Sequence, residues 1–242
     1  MRLHFAVMNK FIFDVDGTLT PSRGTIDSEF KEWFLEFCDN NLVYLVTGSD
    51  RPKTVEQIGE DVYNRCSRVY QCSGNEVWIQ DDRVKTSNWT LPADAHEWLT
   101  TQLTECDFNI RTGLHFEHRT GMVNFSIVGR NANAEQRQAW LDYEAWNGDR
   151  RRIADDFNKL FPSITATVGG ETGIDIAPTG ADKSQILKDF DDDDYIVFFG
   201  DAMFEGGNDY PLALANYNGT NYCVKGWEET WEKLLEHSNN RT

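Results

Sequence analysis

The chain has 242 residues, 40% hydrophobic and 13% aromatic, enough to bury one large core or two modest ones. With 40 acidic against 23 Lys and Arg side chains the formal charge is −17, which argues against nucleic acid or an anionic membrane as partner, since both are bound through net basic patches. The five cysteines (Cys38, Cys66, Cys72, Cys106, Cys223) form no CxxC pair and are odd in number, so neither a disulfide frame nor a zinc site is expected and reduced thiols in a cytoplasmic setting fit best.

Taken in chain order, the apolar run Phe11-Ile12-Phe13 breaks into Asp14-Val15-Asp16-Gly17, which predicts a buried strand ending in a loop. Phe30, Trp33, Phe34 and Phe37 recur at i, i+3, i+4 and i+7 and predict a helix packed on a sheet. A second apolar run, 42–46, stops at Thr47-Gly48-Ser49, and Pro52 opens a helical stretch reaching about Arg65. This alternation of strand and helix predicts an α/β fold with a doubly wound, mainly parallel sheet. From Glu76 the pattern changes to a hairpin around Asp81-Asp82, then a helix containing Trp98, Leu99 and Leu103. Strands over 114–119 and 122–128 follow, joined by Thr120-Gly121, then one long helix over about 134–160 and strands on either side of Gly169-Gly170. Residues 85–181 are therefore expected to form an α+β domain inserted into a core built from 1–84 and 182–242. The core pattern resumes with a helix near Lys183, strands over 195–199 and 222–224, and a last helix through Trp231 and Leu235. No run approaches the ~18 apolar residues of a membrane span, and Met1 to Val7 is too short and mixed for a secretory signal.

Two carboxylates two residues apart at the end of a buried strand are costly unless a cation or a substrate uses them, and Asp14 and Asp16 occupy that position. Phe198-Phe199-Gly200-Asp201 repeats the strand-to-acid pattern, and Gly206-Gly207-Asn208-Asp209 adds further oxygen ligands. Strand ends of a parallel sheet converge on one crevice. Asp14, Asp16, Asp201 and Asp209 are thus expected to face a single hard cation through oxygen alone, for which magnesium is the natural choice. Thr47-Gly48-Ser49 can offer hydroxyl and backbone donors to a phosphate, and Lys183 a cation that balances carboxylate and phosphate charge.

DVDGTLT at 14–20, TGS at 47–49, Lys183 and GDAMFEGGND at 200–209 resemble, in order and spacing, the four motifs of the haloacid-dehalogenase-like phosphotransferases. The insert, with FEHRTGMVN at 116–124, Gly129-Arg130 and Glu135-Gln136-Arg137, is similar to the C2-type cap of the eukaryotic phosphomannomutases, and similarity runs over nearly the whole chain. The resemblance implies an active site where core and cap meet, with Asp14 as phosphoryl-accepting nucleophile, Asp16 as general acid and base, and Lys183 as charge-balancing catalytic residue. It implies that Arg23 in the core and Arg119, Arg130 and Arg137 in the cap bind sugar phosphates, and that Asp175 binds sugar hydroxyls. It also implies a hexose 1,6-bisphosphate activator and a homodimer through the cap. Read without it, the arginines of an otherwise acidic chain could form an anion site or pair with surface acids. Two positions depart from the family. Gly173 stands where the family carries a small hydroxyl residue, so a sugar contact is expected to be lost, and Thr47 stands where these mutases often have glycine. The expected reaction is interconversion of a hexose 6-phosphate and 1-phosphate, mannose favoured; the alternatives are a magnesium-dependent sugar-phosphate phosphatase on the same scaffold and a non-catalytic phosphosugar-binding protein.

Overall fold

The computed structural model describes residues 10–22 and 24–239. The chain divides into two compact units, Met1–Thr86 with Lys183–Thr242, and Ser87–Asp182. The first division falls at the end of the edge strand over Asp82–Thr86.

The first unit is built on a seven-stranded sheet among the described residues. Strand β1 (Lys10–Phe13) lies at its centre, paired in parallel with β2 (Leu42–Val46) on one side and β10 (Ile196–Gly200) on the other. Its residues Phe11, Ile12 and Phe13 are fully buried on both faces, which is why the run is continuously apolar rather than alternating. Beyond β2 comes β3 (Arg68–Gln71), then β4 (Glu76–Ile79) and β5 (Asp82–Thr86), which turn antiparallel; β11 (Thr220–Cys223) closes the far edge in parallel with β10. One face of the sheet packs Phe11, Phe13 and Phe199 against Phe30, Phe34 and Phe37 of α1 (Ser28–Asn40), the stripe that the 3.6-residue period predicts. Asp27 caps α1 by accepting hydrogen bonds from the Glu29 and Phe30 amides, a contribution of about 1 kcal/mol. The other face packs Ile12, Val46, Tyr70 and Phe198 against Ile186 and Leu212.

Three local expectations change. The helical stretch to Arg65 is two helices, α2 (Arg51–Ile58) and α3 (Glu60–Arg65), divided at Gly59. Strand β3 passes unnoticed in the sequence because it follows α3 with only Cys66 and Ser67 between them. The helix expected near Lys183 is a short 3-10 helix, Lys183–Asp189.

The second unit carries a four-stranded antiparallel sheet in the order β6 (Phe116–Arg119), β7 (Met122–Phe125), β9 (Gly173–Pro178), β8 (Ile164–Gly169). Phe125, Ala166, Ile174 and Ile176 on one face bury against α4 (Ala93–Glu105), α5 (Ala134–Asn147) and α6 (Asp149–Leu160), around a fully enclosed Trp140. The single helix expected over 134–160 is divided at Gly148, whose left-handed backbone (φ 63°) ends α5 and starts α6. Glycine adopts that conformation at no steric cost, whereas an L side chain loses roughly 1–2 kcal/mol there.

Candidate active site

Pairing in register sets Phe13 level with Phe199 and Leu45, so the segments that follow three parallel strands leave the sheet along one edge. They carry Asp14, Gly200-Asp201 and Thr47-Gly48-Ser49. The Asp14 amide still donates to the Phe199 carbonyl at 2.9 Å, tying the first two segments together. Gly17 turns the chain with φ 75°, and a Cβ there would stand 2.5 Å from Asp201 Oδ2; a Cβ at Gly200 would stand 2.6 Å from Asp209 Oδ2. Both glycines therefore make room for carboxylates.

Asp14, Asp201 and Asp209 each place a carboxylate oxygen within 4.8 Å of the others. Lys183, wholly buried, donates to Asp14 Oδ1 at 2.6 Å and to Asp209 Oδ1 at 2.7 Å. Burial holds the Asp14 carboxyl well above the usual carboxylate range against the pull of the Lys183 ammonium, and the negative charges of Asp209 and Asp201 add to the rise. Desolvation and then Asp209 raise Asp201 as well. Burial works against the Lys183 charge, but Asp14 and Asp209 outweigh it and raise its pKa, so it stays an ammonium. Three carboxylates with one buried lysine leave excess negative charge in a partly dry pocket, which a hard divalent cation with oxygen ligands suits.

Asp16, expected as a fourth ligand, does not join this cluster. The extended backbone of β1 ends at Phe13, and a bend at Val15 breaks the alternation that would have set 14 and 16 on one face. Asp16 Oδ1 instead accepts from Gln57 Nε2 at 2.9 Å, and its Oδ2 lies 3.5 Å from both Lys53 Nζ and Ser49 Oγ. Its carboxylate is thus held from α2. Thr47 is buried, and its hydroxyl accepts from the Ser49 amide at 3.1 Å, which folds Thr47-Gly48-Ser49 into a tight turn.

In the second unit, cross-strand pairing sets Glu117, Arg119, Met122, Asn124, Gly173 and Asp175 on one face of the sheet, opposite the face that buries the core. Glu117 gathers two of the expected arginines: Arg119 Nη2 lies 2.8 Å from it and Arg130 Nε also donates to it. Burial raises the Glu117 carboxyl, but the two guanidiniums outweigh it and keep it below its ordinary value. Arg137, on α5, pairs instead with Glu171 at 3.9 Å. Asp175 Oδ1 accepts from Asn124 Nδ2 at 2.6 Å. Arg23 lies outside the described residues. The sequence assigns no role of their own to Gln57, Glu117 and Asn124, which lie against Asp16, the arginine pair and Asp175; only cross-strand and helix-to-loop neighbours distinguish them from ordinary surface polar groups.

A mainly parallel α/β core with an inserted α+β unit, and a buried lysine bridging Asp14 at the end of β1 to Asp209, give this chain a haloacid-dehalogenase-like fold. The solved structure of a haloacid dehalogenase-like hydrolase from Bacteroides thetaiotaomicron is similar over 92% of this chain and 92% of that one, with TM-score 0.57 at 13% identity, a likeness of fold. Residues 30–239 match the family described as eukaryotic phosphomannomutase. The chain is 31% identical to a phosphomannomutase of Saccharomyces cerevisiae over 93% of its length and 92% of that protein, and 31% identical to one of Spinacia oleracea over 93% and 94%. It belongs to the eukaryotic phosphomannomutase family.

Proposed function

We propose that this chain is a phosphomannomutase that interconverts hexose 6-phosphate and hexose 1-phosphate, mannose favoured, through a phosphoryl group carried on Asp14. The observation that carries the reading is the convergence of Lys183 on Asp14 and Asp209, on the chain's own version of the family motifs. An Asp14 carboxylate oxygen forms a bond to phosphorus as the bond from phosphorus to the sugar oxygen breaks. Lys183 stays charged throughout and offsets the negative charge gathering beside it. Asp16, held by Gln57, gives a proton to the departing sugar oxygen and takes one from the hydroxyl that attacks in the return step. Asp14, Asp201 and Asp209 would hold magnesium, which when bound neutralises charge on the phosphoryl oxygens.

A mutase also needs a second phosphate site, so that a bisphosphorylated sugar keeps one phosphate held while the other reacts. Arg119 and Arg130, with Arg137 and Arg23, are the residues we assign to phosphate, and Asp175 to sugar hydroxyls. The activator is a hexose 1,6-bisphosphate. A homodimer through the α+β unit is part of the same proposal, and light scattering on the purified protein tests it. Cytoplasmic placement is supported by five free thiols; among the described residues no helix is long and apolar enough to cross a membrane.

The test is incubation with mannose 1-phosphate, magnesium and a catalytic amount of hexose 1,6-bisphosphate, following mannose 6-phosphate and free phosphate together. The mutase reading requires isomer to appear much faster than phosphate. Dominant phosphate release, unaltered by Arg130→Ala, overturns it in favour of a phosphatase.

A further inference from the structure

Position 173 is where a sugar contact was expected to be lost, and the structure shows what fills the space. Asn124 sits opposite Asp175 on the neighbouring strand and is only 4% exposed. Its Nδ2 donates to Asp175 Oδ1, and a carboxylate can only accept there, which fixes which end of the amide is which. A Cβ at residue 173 would stand 2.7 Å from Asn124 Oδ1 and nearer still to Nδ2. Any L side chain at 173 therefore displaces the Asn124 amide from this position. Gly169 plays the same part for Asp175, whose carboxyl carbon would lie 2.9 Å from a Cβ there. The remaining end of the amide, Oδ1, is buried and without a hydrogen-bond partner in the structure.

A buried amide oxygen with no donor is costly until one arrives. The neighbouring group on this face is the Asp175 carboxylate, also an acceptor, so the two together suit a ligand that presents two hydroxyl donors close together, as adjacent ring hydroxyls of a sugar do. We infer that Asn124 Oδ1 is a specificity-determining acceptor for one sugar hydroxyl, and that Gly173 makes room for it in place of a contact of its own. This rests on the hexose-phosphate reading above and deepens it. In this chain discrimination at that hydroxyl has moved from residue 173 to its cross-strand neighbour.

The test is calorimetric binding, with magnesium present, of mannose 1-phosphate and its 2-, 3- and 4-deoxy analogues to the wild type, to Asn124→Ala and to Gly173→Ala, each checked for folding by circular dichroism. In the wild type the analogue lacking the partner hydroxyl binds about three- to tenfold more weakly than the parent sugar, the size of one neutral hydrogen bond. In Asn124→Ala that ratio collapses to about one while at least one other deoxy penalty persists, and Gly173→Ala, which moves the amide without removing it, collapses the same ratio. Structural damage alone would weaken all four ligands together and leave their ratios unchanged; that result, or unchanged ratios caused by a resident water on Oδ1, overturns the inference alone. Failure of the wild type to bind any of the four overturns the hexose-phosphate reading and this inference with it.

Discussion

Lys183 has no exposed surface and two carboxylate partners, at 2.6 and 2.7 Å. Lys183→Met removes the cation and leaves Asp14 and Asp209 buried with no positive side chain between them. A destabilisation of about 3–5 kcal/mol is expected, the cost of breaking a buried pair from one side. Denaturant melts without magnesium should show it, and a loss under 1 kcal/mol would mean that water or another cation replaces the ammonium. Asp14→Asn removes the proposed nucleophile in almost the same volume and also relieves repulsion from Asp209, so turnover should vanish while the melting midpoint of the metal-free protein does not fall. At this scale the sequence was most informative where strand ends meet acids, because a charge following a buried apolar run has few cheap explanations. It said less about the Asp16 side chain, which turns to Gln57 and Lys53 once the strand ends at Phe13. Asn124 ends the 116–124 stretch that carries the family resemblance but has no role of its own in the sequence, since an asparagine in a strand acquires meaning only when its cross-strand partner is known.

At the first position of α6 a single residue, Asp149, gathers Tyr143 Oη at 2.9 Å, Arg152 Nη2 at 2.9 Å and the Cys106 thiol. Burial pushes the Asp149 carboxyl up, but hydrogen bonds from Arg152, Tyr143 and Cys106 outweigh it and leave it below its ordinary value. A carboxyl with a folded pKa below the unfolded one, near 3.9, adds stability that is complete above the unfolded value. That stability is lost as pH falls through the folded value. Asp149→Asn should therefore cost about 1–2 kcal/mol at pH 7, with the gap to wild type narrowing in urea melts taken below about pH 4. A gap that stays constant down to pH 2 would rule out the charge as its source. The helix break beside this residue was open to reading: Asn147-Gly148 followed by an acid is a helix end followed by a helix start. The polar periodicity on both sides masks it, because an isolated glycine is tolerated inside a helical pattern.

For the molecule as a whole, the proposed magnesium site on the three-carboxylate cluster would link metal binding to stability, since a cation bound only by the folded chain stabilises it by mass action. Magnesium at about a hundred times its dissociation constant should raise the melting temperature by roughly 5–10 °C. Chelator should return it to the metal-free value without unfolding the protein at 25 °C, and Asp201→Asn should abolish most of the shift. No shift in the wild type at millimolar magnesium would remove the cation from this cluster. The division into an α/β core and an inserted α+β unit was legible because the period of the apolar pattern changes near Glu76 and changes back near Lys183.

Lys183 is the first residue of the core after the inserted unit, and it meets Asp14 across 169 residues of chain. The central strand of the sheet likewise cannot acquire its β10 neighbour until the C-terminal part of the chain is made. At roughly 5–20 residues per second, a ribosome takes on the order of ten to thirty seconds to cover that interval. Throughout it the first strands wait with β1 lacking one partner, while residues 87–182 can already collapse around Trp140. The insert should therefore mature first during synthesis and the Lys183–Asp14 pair last, so that a stalled or truncated chain carries a folded α+β unit and an exposed, adhesive β1 edge.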